Sequence, residues 1–123
     1  MNLLLTRRPA VLLLACGALL SGCAARHEPL YYWGDYQPQV YGYFTGDKSP
    51  EDQIQALEAG IEKARASGKP LAPGYQAQLG MLYAKTGRED QTRHYFEAEK
   101  AQFPEGRPFM DFLLRNFKTP GAN

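Results

Sequence analysis

Cysteine is nearly absent from this chain: its 123 residues hold two, Cys16 and Cys23. That excludes a disulfide-stapled scaffold and a cysteine-rich metal centre. Histidine is equally scarce, and His27 and His94 stand at no spacing that would assemble a zinc site with either thiol. No glycine-rich phosphate loop and no nucleophile-elbow pattern occurs. The adjacent acids Glu51 and Asp52 read as a helix start, and Glu97 with Glu99 as a solvated face. The chain therefore reads as a non-enzyme without metal or cofactor. An excess of one charge is also missing, with 14 basic residues against 13 acidic, which leaves no electrostatic footprint for nucleic acid or for an anionic membrane surface. Strand signals are few; the one candidate is the stretch 30–36, where tyrosine and tryptophan favour extended backbone.

What is present begins with a leader. The first 22 residues contain no acid, carry Arg7 and Arg8, and then run through Val11–Leu20 without a polar side chain other than Cys16. A positive start followed by an apolar run of this length has the layout of an export signal and is short for a permanent membrane span, which needs about 20 apolar residues. Leu20-Ser21-Gly22-Cys23 resembles the lipobox of bacterial lipoproteins. That resemblance implies cleavage before Cys23 and acylation of its sulfur, the nucleophile that receives the diacylglyceryl group. Loss of the leader would also remove Cys16 and leave no disulfide partner. It would leave 12 basic residues against 13 acidic, a net charge of −1. Attachment would then come from lipid, since each buried methylene contributes about 0.8 kcal/mol and more than one chain makes a durable anchor. Ala24 rather than aspartate after the cysteine implies, by the sorting rule of such lipoproteins, the outer membrane facing the periplasm.

The rest divides into a tether with an aromatic segment (23–36), a helical domain (37–117) and a frayed end (118–123). A short helix is expected over 37–45, with Pro38 in its first turn and Val40, Tyr41 and Phe44 on one face. Ser49-Pro50-Glu51-Asp52 supplies a capping hydroxyl, a first-turn proline and acids for the positive end of a helix. After it Ile54, Leu57, Ile61 and Ala64 form one apolar stripe, with Glu58, Glu62, Lys63 and Arg65 facing away, until Ser67-Gly68 ends the helix. A third helix runs from Pro73-Gly74 to Lys85, closed by Gly87. A fourth runs from Glu89 to Gln102 and stops at Pro104-Glu105-Gly106. A fifth, over 108–117, is too apolar for an exposed tail and is expected to pack on the preceding pair.

Residues 73–106 resemble one tetratricopeptide repeat, a helical hairpin of about 34 residues. Leu79-Gly80 and Tyr83 match its first helix, Gly87 its turn, Phe96 the large residue of its second helix and Pro104 its terminal breaker. Thr92 and Glu99 stand where the pattern has alanine, and Gln76 where it has a large aromatic. One repeat cannot bury its own faces, so the flanking helices act as caps. The resemblance implies an all-α, tetratricopeptide-like array of four to five helices with a concave groove for a peptide or a partner helix.

The chain after Cys23 also resembles a family of small bacterial lipoproteins of unknown function. The residues that carry this are Tyr32-Trp33-Gly34-Asp35-Tyr36, Gly68-Lys69-Pro70, Leu79-Gly80-Met81-Leu82-Tyr83, Phe103-Pro104-Glu105 and Pro108-Phe109-Met110-Asp111. Members are commonly encoded beside a lipoprotein like the curli secretion channel, which implies an envelope complex and brings no known activity. Two functions follow as expectations. One is a lipid-anchored adaptor that binds an envelope protein. The other is a glycan- or peptidoglycan-binding lipoprotein that uses Tyr31, Tyr32, Trp33 and Tyr36 as a platform, since such rings give large contact area with a polar edge. Against the platform stands packing of Trp33 and Tyr36 onto the first helices; packing is the preferred role for Trp33, and Tyr31 stays open between the two. Leu57, Ile61, Leu79, Tyr83, Phe96, Leu113 and Phe117 are expected to be core.

Overall fold

A computed structural model describes residues 27–117. The leader, Cys23 and the end from residue 118 lie outside the described residues. Five helices follow in order: α1 (Tyr36–Thr45), α2 (Pro50–Ser67), α3 (Tyr75–Lys85), α4 (Glu89–Gln102) and α5 (Arg107–Asn116), with a 3-10 turn at Pro104–Gly106 between the last two. The fold is all-α, and no strand occurs among the described residues. Tyr32 does form one isolated parallel bridge with Leu71. The extended tendency of the aromatic stretch is thus satisfied by a clip on the α2–α3 loop: the Tyr32 amide donates to the Pro70 carbonyl at 2.8 Å and the Ala72 amide to the Tyr32 carbonyl at 3.1 Å.

Helix ends follow local chemistry. The Ser49 hydroxyl accepts from the Asp52 amide at 3.1 Å, with Pro50 opening α2 and Glu51 and Asp52 in its first turn. This joins a side-chain cap to charges that complement the helix dipole. At the other end Gly68 adopts the left-handed backbone, φ 66°, where a side chain would be strained.

Helix α3 is the centre of the array, packing against α2, α4 and the edge of α1, while α5 rests on α4. The core joins Ile54 and Leu57 of α2 to Tyr75, Leu79, Leu82 and Tyr83 of α3. Its close packing depends on glycine at two crossings. A Cβ on Gly80 would run into the Phe96 ring, and one on Gly60 into the Tyr75 hydroxyl. With no Cβ there, the Tyr75 hydroxyl donates to the Leu57 carbonyl at 2.8 Å and stays satisfied although its residue is wholly buried. Leu57, Leu79, Tyr83 and Phe96 are buried as expected; Ile61, Leu113 and Phe117 are half-buried at the margins.

Two apolar faces differ from expectation. In α1 the buried positions are Gln39 and Gly42, flanked by half-buried Tyr36 and Tyr43. Tyr41 and Phe44 are 66% and 78% exposed. Residues 36, 39 and 43 lie one above another at helical spacing, and the Tyr36 ring stacks on Tyr75 with centroids 5.6 Å apart. That contact fixes the rotation of α1 and turns Tyr41 and Phe44 outward. In α5, Met110 is buried against α4 while Phe109 and Phe112 remain 57% and 52% exposed, stacked on each other at 6.5 Å. The apolar residues of α5 share one broad face, opposite Arg107, Asp111 and Arg115, and that face is wider than the contact with α4, so only part of it meets the core.

Candidate functional site

Between α2 and α4 lies a groove of about 850 Å³, closed at one end by the α2–α3 loop. Gln55, Glu58, Glu62 and Arg65 of α2 form one wall, and His94, Tyr95 and Gln102 of α4 line the other. Both helices turn their apolar stripes toward α3, which leaves their polar neighbours to face each other across the gap.

The groove carries fixed charge. The Tyr83 hydroxyl donates to Glu58 Oε1, and Tyr95 stacks nearly flat on Tyr83, centroids 5.5 Å apart and 6° from parallel. Burial, then the hydrogen bond to and the charge of Glu58, push the Tyr83 hydroxyl well above the usual phenol range. Burial also raises Tyr95, with the charge of Glu58 adding to it. Both phenols therefore stay protonated as donors, and the Glu58 carboxylate is held in place on the rim. Beside it Arg65 pairs with Glu62 at 2.8 Å, and Lys69 with Glu28 at 2.9 Å. Exposed pairs of this kind stabilise little, so their charges remain free to re-pair with a ligand. At the closed end Gln76 Nε2 donates to Gln102 Oε1 at 2.7 Å, and Gln102 Nε2 to the Leu71 carbonyl at 3.0 Å. Carboxylates, amides and a guanidinium thus line the trough, groups that can bond the backbone of an extended peptide.

The residues singled out from sequence go to separate places. The Tyr31 ring meets Phe103 edge-on at 5.8 Å. Tyr32 packs against the core and Tyr36 against Tyr75. Trp33 is 41% exposed with its ring 5.9 Å from Tyr36. Only Trp33 and Tyr36 touch each other; Tyr31 and Tyr32 turn to Phe103 and to the core, so the four rings form no common platform. Cys23 is outside the described residues. Both histidines are exposed, and among the described residues no group of His, Cys, Asp or Glu is arranged to hold a metal ion.

Sequence reasoning missed Glu99, assigned above to a solvated face with Glu97. Glu97 is exposed and pairs with Lys100 at 2.8 Å. Glu99, in contrast, is 5% exposed. Its Oε1 accepts from the Gly74 amide at 2.6 Å, and its Oε2 from the amides of Gln76 and Ala77 at 3.2 and 3.3 Å. It is the N-terminal cap of α3, delivered from the neighbouring helix where Gly74 has no side chain to do the work. The available signal was its place between Phe96 and Phe103, at spacings of three and four on the buried face. Thr92, the other residue that stands where the repeat pattern has alanine, is wholly buried with its hydroxyl donating to the Arg88 carbonyl at 2.9 Å.

A protein family described as a domain of unknown function (DUF4810) matches residues 30–113. No curated protein and no solved structure matches the chain.

Proposed function

Starting from the fact that the chain belongs to the DUF4810 family, we propose that it is a lipid-anchored adaptor of the outer membrane, facing the periplasm, which docks an extended segment of another envelope protein between α2 and α4. The observation that carries the docking is the groove itself, about 850 Å³ and lined by hydrogen-bonding side chains on both walls. The anchor rests on Leu20-Ser21-Gly22-Cys23 and on the chemistry of an acylated thiol. A glycan-binding role for the aromatic segment has less support, because sugar platforms need rings side by side in solvent and Tyr32 and Tyr36 face the core.

The anchor is tested by Cys23→Ala with a metabolic palmitate analogue: label should vanish, and undiminished label refutes the assignment. The docking is tested by photo-cross-linking from position 62 in intact cells. A defined envelope protein should be captured, and Arg65→Glu should abolish its capture. Purified protein that retains wall fragments while position 62 captures no protein would overturn the adaptor reading.

A further inference from the structure

Among the described residues, four of the six large apolar side chains that stand most exposed fall within residues 30–44: Leu30 at 81%, Trp33 at 41%, Tyr41 at 66% and Phe44 at 78%. They are not scattered along α1. Tyr36, Gln37, Val40, Tyr41, Phe44 and Thr45 line one shallow cleft of about 420 Å³, and Trp33 extends it through its ring contact with Tyr36 at 5.9 Å. No charged residue lines this cleft, and none of its residues lines the α2–α4 groove.

We propose that this face of α1 rests in the interfacial layer of the membrane, an inference that depends on the lipid anchor at Cys23. The argument is the length of chain between them. Cys23 precedes Leu30 by seven residues, which span at most about 25 Å when fully extended. An acylated Cys23 therefore holds the aromatic end of the domain within one tether length of the lipid surface. Tyrosine and tryptophan are the side chains best suited to that layer, with an apolar ring for the acyl boundary and a polar edge for the headgroups. A charge-free cleft fits the acyl boundary better than the anionic headgroups. Tethering also raises the local concentration of membrane so far that a small patch suffices. The contact would orient the domain on the leaflet and leave the separate α2–α4 groove for a protein.

The sequence contains a single tryptophan, Trp33, which makes the contact directly observable. The full acylated chain, extracted in detergent, is reconstituted into vesicles of phosphatidylethanolamine and phosphatidylglycerol whose acyl chains carry bromine, a quencher acting near contact. Trp33 emission should shift to the blue and lose about half its intensity relative to unbrominated vesicles. In the Tyr41→Ser, Phe44→Ser double variant that quenching should fall by more than half with the thermal melt unchanged. Mass spectrometry of the same sample separates the two ideas. Acyl mass present with Trp33 emission indifferent to bromine overturns the contact and leaves the anchor standing. Absence of acyl mass overturns both. Trp33 shielded from aqueous iodide yet unquenched by brominated lipid would mean that a second copy or another protein covers the face, and also overturns the proposal.

Discussion

Helix α1 and the α3–α4 hairpin make opposite use of their aromatic residues. Four of the ten residues of α1 are aromatic, yet Tyr41 and Phe44 face outward and only Tyr36 and Tyr43 reach the core. In α3 two of eleven residues are aromatic, and Tyr75 and Tyr83 are both buried with their hydroxyls bonded. The difference lies in the neighbours. Small residues at the crossings let α2, α3 and α4 approach closely enough to enclose a ring, whereas α1 lies at the edge of the array and buries only Gln39 and Gly42 fully. Aromatic density alone therefore does not indicate burial; enclosure between two helices does, as for Tyr75 and Phe96.

That contrast can be broken most forcefully at Gly80→Leu. The added side chain meets the Phe96 ring, so the expected loss is about 3 kcal/mol, read as a fall of more than about 10 °C in melting temperature. A melt within a few degrees of the parent would mean that α3 and α4 do not need to touch here. Next comes Glu99→Gln, which sets an amide NH2 against backbone donors and should cost about 2 kcal/mol at neutral pH. Burial raises the Glu99 carboxyl above its ordinary 4.5, outweighing the three backbone amides that lower it. The folded chain thus binds this proton more tightly than the unfolded chain does. Its contribution is complete below about pH 4.5 and fades as pH rises through the folded value. The gap in melting temperature between parent and variant should be wider at about pH 4 than at about pH 7; a gap that widens with pH would reverse the assignment.

A smaller effect is expected for Tyr75→Phe, which removes the hydroxyl that donates to the Leu57 carbonyl and leaves an acceptor buried, for about 1 kcal/mol. Phe44→Ser sharpens the comparison from the other side. At a position 78% exposed, stability should change by no more than about 0.5 kcal/mol, and a clear loss would show that α1 has a covered face after all.

Much of the fold was legible because helix ends are local events. Ser49-Pro50, Gly68 and Pro104 each act within a few residues of themselves, and all mark boundaries where expected. The rotation of α1 was not legible, since apolar residues occur on both sides of it and Tyr75, which decides between them, lies 39 residues after Tyr36. Glu99 escaped for the same reason, because the amides it caps belong to α3. The groove was concealed differently. Glu58, Glu62 and Arg65 do point away from the apolar stripe of α2, as periodicity indicates, but facing away from one partner here means facing the wall of another.

The bridge at Tyr32 also determines how the molecule bears mechanical force. Tension arriving from residues before His27 reaches the Glu28–Lys69 pair and the two backbone bonds of Tyr32 to the α2–α3 loop before it reaches α1. The load passes into the hinge between the two helices that carry most of the buried side chains, and α1 hangs slack behind it. A steady pull at the amino terminus is therefore borne by the middle of the array rather than by α1.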